Sequence, residues 1–77
     1  MQVNITLFGR LTDITGSSTI ALHDVADTDE LVQQLQQQYP GFKHAPYIIA
    51  VNKDIINGNT ILKDDCMVAL LPPFSGG

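Results

Sequence analysis

Only one stretch of this chain carries helical periodicity, and alternating segments flank it on both sides. Residues 27–38, DTDELVQQLQQQ, put Leu31, Val32 and Leu35 on a narrow apolar stripe. Asp27 is placed to cap the N-terminus, and Glu30 three residues later resembles a capping box with Asp in the Ser/Thr position. Pro40 and Gly41 stop the helix. Gln33, Gln34, Gln36, Gln37 and Gln38 read as its solvated face. A lone helix can bury its stripe only against another layer, and here that layer must be made of strands.

The strands are legible in turn. QVNITLF alternates, with Val3, Ile5 and Leu7 on one face. GRLTDITG, bounded by Gly9 and Gly16, reads as a loop or short helical turn, and Gly16-Ser17 leads into a second strand, STIAL. YIIAVN is an almost continuous apolar run, which predicts burial on both faces. Lys53-Asp54 is expected to turn it into a short returning strand, IIN, and Asn57-Gly58 signals a further turn. Asp64-Asp65 precede the last strand, MVALL, which Pro72 ends. The order strand, strand, helix, strand, short strand, strand predicts an α+β fold: a mixed sheet with one main helix packed on one face. No repeat, linker or second domain is visible. The reading is one domain over residues 1–71 and an extended tail over 72–77.

Composition bounds the function. A chain of 77 residues buries only about 60% of its unfolded surface, so its stability is modest. No apolar run approaches the ~20 residues of a membrane span. The start, MQVNITLF, lacks the charged and apolar regions of a secretory signal, so the expectation is a cytoplasmic protein with no membrane partner. The net charge is −4, and the cations Arg10, Lys43, Lys53 and Lys63 are scattered. That leaves no footprint for nucleic acid, and electrostatically steered partners should be basic. A single cysteine, Cys66, excludes an internal disulfide, a four-cysteine zinc site and a four-cysteine iron–sulfur cluster within one chain.

The interior offers no catalytic constellation. Cys66 follows two aspartates, whose charge disfavours a thiolate, and no His or Lys adjoins it. A small core or surface residue is the simpler reading. His23 and His44 have no companion at ligand spacing, so no metal is expected. Asp13, Asp24, Asp27, Asp29 and Glu30 are explained by caps, turns and solvated loops. Gly9 and Gly16 have the wrong spacing and context for a phosphate loop.

The chemistry therefore falls on the last residues, LPPFSGG. Pro72 and Pro73 fix φ and keep the residue before each extended, so the base of the tail is stiff. Six residues span at most about 20 Å. Phe74 can anchor on a partner. Gly76 and Gly77 carry no side chains, so a terminal carboxylate could pass a constriction that would stop any other residue. A carboxylate is a poor electrophile, but as a mixed anhydride with AMP it can be displaced by a sulfur donor.

VALLPPFSGG resembles the C-terminal signature of the small subunit of molybdopterin synthase, a ubiquitin-like sulfur-carrier family. LFGRLTDITG resembles that family's first strand and following turn, AVNKDII its central hairpin, and LKDDCMVALLPP its approach to the last strand. The likeness covers essentially the whole chain, and the tail is its most specific part. It implies a β-grasp fold. It also implies that the Gly77 carboxylate is adenylated by an E1-like activating enzyme using ATP and becomes a thiocarboxylate, with sulfur arriving from a donor protein. The tail would then enter the large subunit of molybdopterin synthase and give sulfur to cyclic pyranopterin monophosphate, forming the dithiolene of molybdopterin. The chain would be the sulfur-donating subunit of a heterotetramer, not a catalyst alone, with no permanent cofactor. Gly76 would serve the narrow passage, and Phe8, Leu71, Pro72, Pro73, Phe74 and Ser75 the partner contact. One departure stands out: where the family often has Arg-Glu after the first strand, this chain has Thr12-Asp13, and Arg10 could substitute only in part.

Three other functions share parts of this pattern. A sulfur carrier for another pathway, such as thiamine thiazole synthesis, would use the same Gly77 chemistry, although such carriers usually lack the double proline. A ubiquitin-like modifier would begin with the same activation and end in isopeptide adducts. A passive interaction domain would have an inert tail.

Overall fold

The computed structural model describes residues 2–64 and 66–73. The elements run β1 (Gln2–Leu7), α1 (Leu11–Thr15), β2 (Thr19–His23), α2 (Thr28–Gln38), a 3-10 turn (Pro40–Lys43), β3 (Ile48–Val51), β4 (Asp54–Ile55) and β5 (Met67–Leu71). They form a five-stranded sheet in the order β2-β1-β5-β3-β4. β1 and β5 run parallel, and the other pairings are antiparallel. The expected mixed sheet with its main helix on one face is therefore present.

Alternation decides which side chains reach that helix. Val3, Ile5 and Leu7 of β1 and Val68 and Leu70 of β5 point inward and join Leu31 and Leu35 of α2 in one core. Both leucines are fully buried. Phe42, on the 3-10 turn after Pro40, closes one end of the core and meets Tyr39 and Tyr47 edge-on, with centroids 6.3 and 5.6 Å away.

The N-terminus of α2 is capped more fully than the sequence suggests. The Asp27 carboxylate accepts from the Glu30 N–H at 2.9 Å. Glu30 reaches back to the Ala26 N–H at 3.2 Å, one residue before the position a capping box requires. Asn59, from a distant loop, accepts from the Asp29 N–H at 2.9 Å and donates to Asp27 at 3.1 Å.

Two sequence expectations need correction. The β3–β4 turn is Asn52-Lys53, not Lys53-Asp54: both residues have positive φ, and Val51 pairs with Asp54 across a two-residue loop. Asn57-Gly58 bends the chain where the sequence signals a turn, at negative φ. The β3 run is buried on both faces only in part: Ala50 on the second face is buried, but Ile48 beside it is half-buried. Ile49 and Val51 turn toward the core register, opposite Leu70 and Val68, while Ile48 and Ala50 lie on the other face, opposite Leu71 and Ala69. That second face is apolar without being under a second layer of described residues.

Gln34 also departs from its reading as a solvated residue. Its side chain accepts from the His23 N–H at 3.4 Å and donates to the His23 carbonyl at 3.0 Å. Ser17 does the same for Thr19, at 3.3 and 2.8 Å. The pairing alternation with β1 turns the Thr19 and His23 backbones outward, so two side chains blunt the outer edge of β2 against strand addition.

Candidate functional site: the root of the C-terminal tail

β5 lies at the centre of the sheet, between β1 and β3, and residues 72–77 continue from it. Because β1 and β5 are parallel, the turn that follows β1 stands beside the root of the tail. The Phe8 N–H continues the ladder by donating to the Leu70 carbonyl at 3.1 Å. Gly9 follows with φ +60°, a left-handed conformation that glycine adopts without strain. Its bare α-carbon faces the Pro72 ring. A Cβ built there would lie 2.8 Å from the ring Cγ.

The Gly9 carbonyl is held from the other side. It accepts from the Thr12 N–H at 3.2 Å and from the Thr12 hydroxyl at 2.9 Å. Thr12, one of the two residues that depart from the family's pattern, thus fastens the turn that touches the tail. Asp13, the other, is exposed.

Two surfaces flank the root. On one side, Arg10, Ala45 and Pro46 form a groove with Pro72 and Pro73. On the open face of the sheet, Phe8, Ile48, Ala50, Ile55, Ala69 and Leu71 line an apolar groove, with Lys53 at its rim. Phe8 is 46% exposed and Ile55 59%. Of the residues proposed from sequence, the structure brings Phe8, Leu71, Pro72 and Pro73 to this end of the sheet. Phe74, Ser75, Gly76 and Gly77 lie outside the described residues.

Sequence reasoning missed Ile48, Ala50, Ile55, Ala69 and Gly9. The apolar residues left a signal. A strand with a solvated face should alternate apolar and polar, yet MVALL is apolar at every position, Met67, Ala69 and Leu71 of the outward set included. Gly9 left none beyond its place at the edge of a loop, because its constraint comes from a residue 63 positions away.

The remaining candidates are dispersed. Cys66 is half-buried and packs against the core, and its N–H donates to the Lys63 carbonyl at 3.2 Å. His23 and His44 are exposed. Among the described residues, no group of three or more His, Cys, Asp or Glu could hold a metal ion, and no helix is long and apolar enough to cross a membrane.

Comparison with known proteins gives this geometry its family. The model of the ThiS family matches residues 5–77. The chain belongs to the ThiS family. This ThiS-family chain is 34% identical to the molybdopterin synthase sulfur carrier subunit of Mycobacterium tuberculosis, over 100% of its own length and 99% of the relative's. It superimposes with a TM-score of 0.76 and 30% identity on a chain from the complex of subunits 1 and 2 of molybdopterin-converting factor from Helicobacter pylori, covering both chains fully. The small archaeal modifier protein 1 of Methanosarcina acetivorans matches with a TM-score of 0.84 and 24% identity, over 99% of this chain and 96% of that one. At that identity the likeness speaks for the fold alone, which is the ubiquitin-like β-grasp.

Proposed function

We propose that this ThiS-family chain is the sulfur carrier of molybdopterin synthase in molybdenum cofactor biosynthesis. The observation that carries the reading is the 34% identity, end to end, with a protein named molybdopterin synthase sulfur carrier subunit. The local geometry supports it: the tail starts from the central strand, its first proline rests on a fixed turn, and apolar surface surrounds the root.

In this reading a Gly77 carboxylate oxygen attacks the α-phosphorus of ATP in an E1-like enzyme, and pyrophosphate leaves. The outer sulfur of a donor protein's persulfide then attacks the acyl carbon and AMP leaves; a thiol cleaves the resulting acyl disulfide, so the donor's cysteine ends in a disulfide with that thiol and the thiocarboxylate remains on Gly77. The large subunit is the receiving partner, as subunit 2 partners subunit 1 in the Helicobacter pylori complex. Phe8 and Leu71 contribute apolar contact with it, joined by Phe74 from the tail. Gly76 passes a narrow channel, Ser75 precedes it, and the sulfur is delivered to cyclic pyranopterin monophosphate. The assembly is a heterotetramer in the cytoplasm.

The test is the intact mass of the chain purified from cells that also make the activating enzyme. The carrier reading predicts a mass gain equal to exchange of one oxygen for sulfur, located at the C-terminus. A ladder of isopeptide-linked adducts without that gain would replace the carrier with a modifier. Failure of every activating enzyme to adenylate the chain would leave an inert tail.

A further inference from the structure

We infer that Gly9 is a positioning residue that sets the direction in which the tail leaves the sheet, acting through the Pro72 ring. The role deepens the sulfur-carrier reading and rests on it for its chemical consequence; the contact itself does not.

Gly9 cannot retreat easily. Its neighbour Phe8 is tied to Leu70, and its own carbonyl takes two hydrogen bonds from Thr12. A Cβ at this position would stand 2.8 Å from Pro72 Cγ and 3.6 Å from Cδ, so something must move. A long side chain would swing away about its own torsions. Proline has no such freedom: apart from a change of pucker, its ring moves only by carrying the backbone with it. The pressure of a Cβ at Gly9 is therefore delivered to the root of the tail.

That displacement would be transmitted, not absorbed. Pro72 precedes Pro73, so its ψ is restricted as well as its φ. The first two residues of the tail act as one stiff step. Beyond Pro72 the five residues to Gly77 reach at most about 17 Å, so a tilt of about 10° at the root moves a fully extended end by about 3 Å. Misplacement of a reacting group by ~1 Å can cost ~100-fold in rate. Sequence position 9 thus controls a carboxyl that it does not approach along the chain.

A second glycine supplies the control. Gly16 has φ +73°, the same left-handed region, but a Cβ there would meet nothing within 4 Å. Asparagine tolerates this region better than other side-chain-bearing residues. Gly9→Asn and Gly16→Asn therefore impose the same backbone demand and differ in the presence of a neighbour.

The experiment measures kcat and KM for ATP-dependent adenylation of the wild type, both Asn variants, Pro72→Ala and the Gly9→Asn/Pro72→Ala double variant. The cognate activating enzyme is used, well below each melting temperature. In parallel, NMR follows the nuclear Overhauser contact between the Gly9 α-protons and the Pro72 ring. Gly9→Asn should lower kcat/KM at least tenfold with the fold intact, and Gly16→Asn should stay within twofold of wild type. In the Pro72→Ala background, which removes the ring, Gly9→Asn should cost less than threefold further. Absence of the Gly9–Pro72 contact in the wild type would overturn the inference whatever the kinetics. Equal losses in both Asn variants, or an undiminished Gly9 effect without the ring, would reduce Gly9 to a purely structural role and overturn it too. A wild-type chain that shows the contact but is never adenylated would overturn the carrier reading and, with it, the proposed role.

Discussion

Asn52 holds Met67 at two points. Its backbone N–H donates to the Met67 carbonyl at 2.7 Å, and its side-chain Oδ1 accepts from the Met67 N–H at 2.9 Å. The first residue of the β3–β4 turn thereby fixes the first residue of β5, the strand that leads to the tail. Asn52 does so at φ +50°, where few side chains are comfortable.

Asn52→Ala removes the side-chain acceptor and adds left-handed strain. Together these should cost about 2 kcal/mol, or a melting temperature lower by about 10 °C. Asn52→Gly keeps the backbone comfortable and should cost roughly half as much. Thermal unfolding followed by circular dichroism orders the three proteins. A Gly variant less stable than the Ala variant would contradict the account.

Asp27 makes the stability of α2 depend on pH. The Glu30 N–H, and then the Asn59 amide, hold its carboxyl below the ordinary carboxylate value, against a smaller opposing effect of desolvation. A depressed folded pKa means that the unfolded chain binds the proton more readily. The stabilisation is thus fully present above the unfolded pKa of about 4 and is lost as pH falls through the lower folded value. Asp27→Asn should flatten the fall in melting temperature below about pH 4 relative to wild type. An unchanged acid slope would remove Asp27 as a cause.

How far the sequence reached depended on the range of the interactions involved. The α2 stripe, the Asp27 cap and the inward set of β1 are local patterns with one dominant solution, and they were legible. The β3–β4 turn lies one residue before its expected place because Lys53-Asp54 resembles a turn as much as Asn52-Lys53 does, and the contact of Asn52 with Met67 that favours the latter is 15 residues away. Gln34 reads as solvated because nothing in a glutamine-rich face shows that one member closes a sheet edge. At the site, Pro72 and Pro73 at the root of the tail are legible in the sequence, and Phe74 to Gly77 lie outside the described residues. The surface at that root is not legible, because Gly9, Phe8, Ile55 and Leu71 converge only once β1, β5, β3 and β4 are side by side.

The apolar face should be a docking surface and not part of the core. Phe8→Ala is expected to leave the melting temperature within a few degrees of wild type while weakening association with the large subunit by about 2 kcal/mol, or roughly thirtyfold. Phe74→Ala is expected to act in the same direction. Isothermal titration of the large subunit measures both. Unchanged affinity for Phe8→Ala would remove the open sheet face from the interface.

Cys66 should be dispensable for the chemistry. Its half-buried position against the core gives it a packing role. Cys66→Ser is expected to lower stability by about 1 kcal/mol and to leave sulfur transfer intact. Loss of thiocarboxylate formation in a folded Cys66→Ser protein would place the sulfur chemistry on the thiol.

In the proposed function the reacting group is the main-chain carboxyl of Gly77. Deleting Gly77 withdraws that carboxyl by about 3.3–3.6 Å, well beyond the ~1 Å at which rates already collapse. It leaves the core residues Val3 to Leu70 untouched. The most direct measurement is ATP-dependent adenylation followed by intact-mass detection of the thiocarboxylate, on wild type and on the Gly77 deletion. The deletion protein is expected to fold but to give no acyl-adenylate, no mass gain and no sulfur delivered to the pterin precursor. Normal thiocarboxylate and normal transfer from the deletion protein would contradict the proposed function.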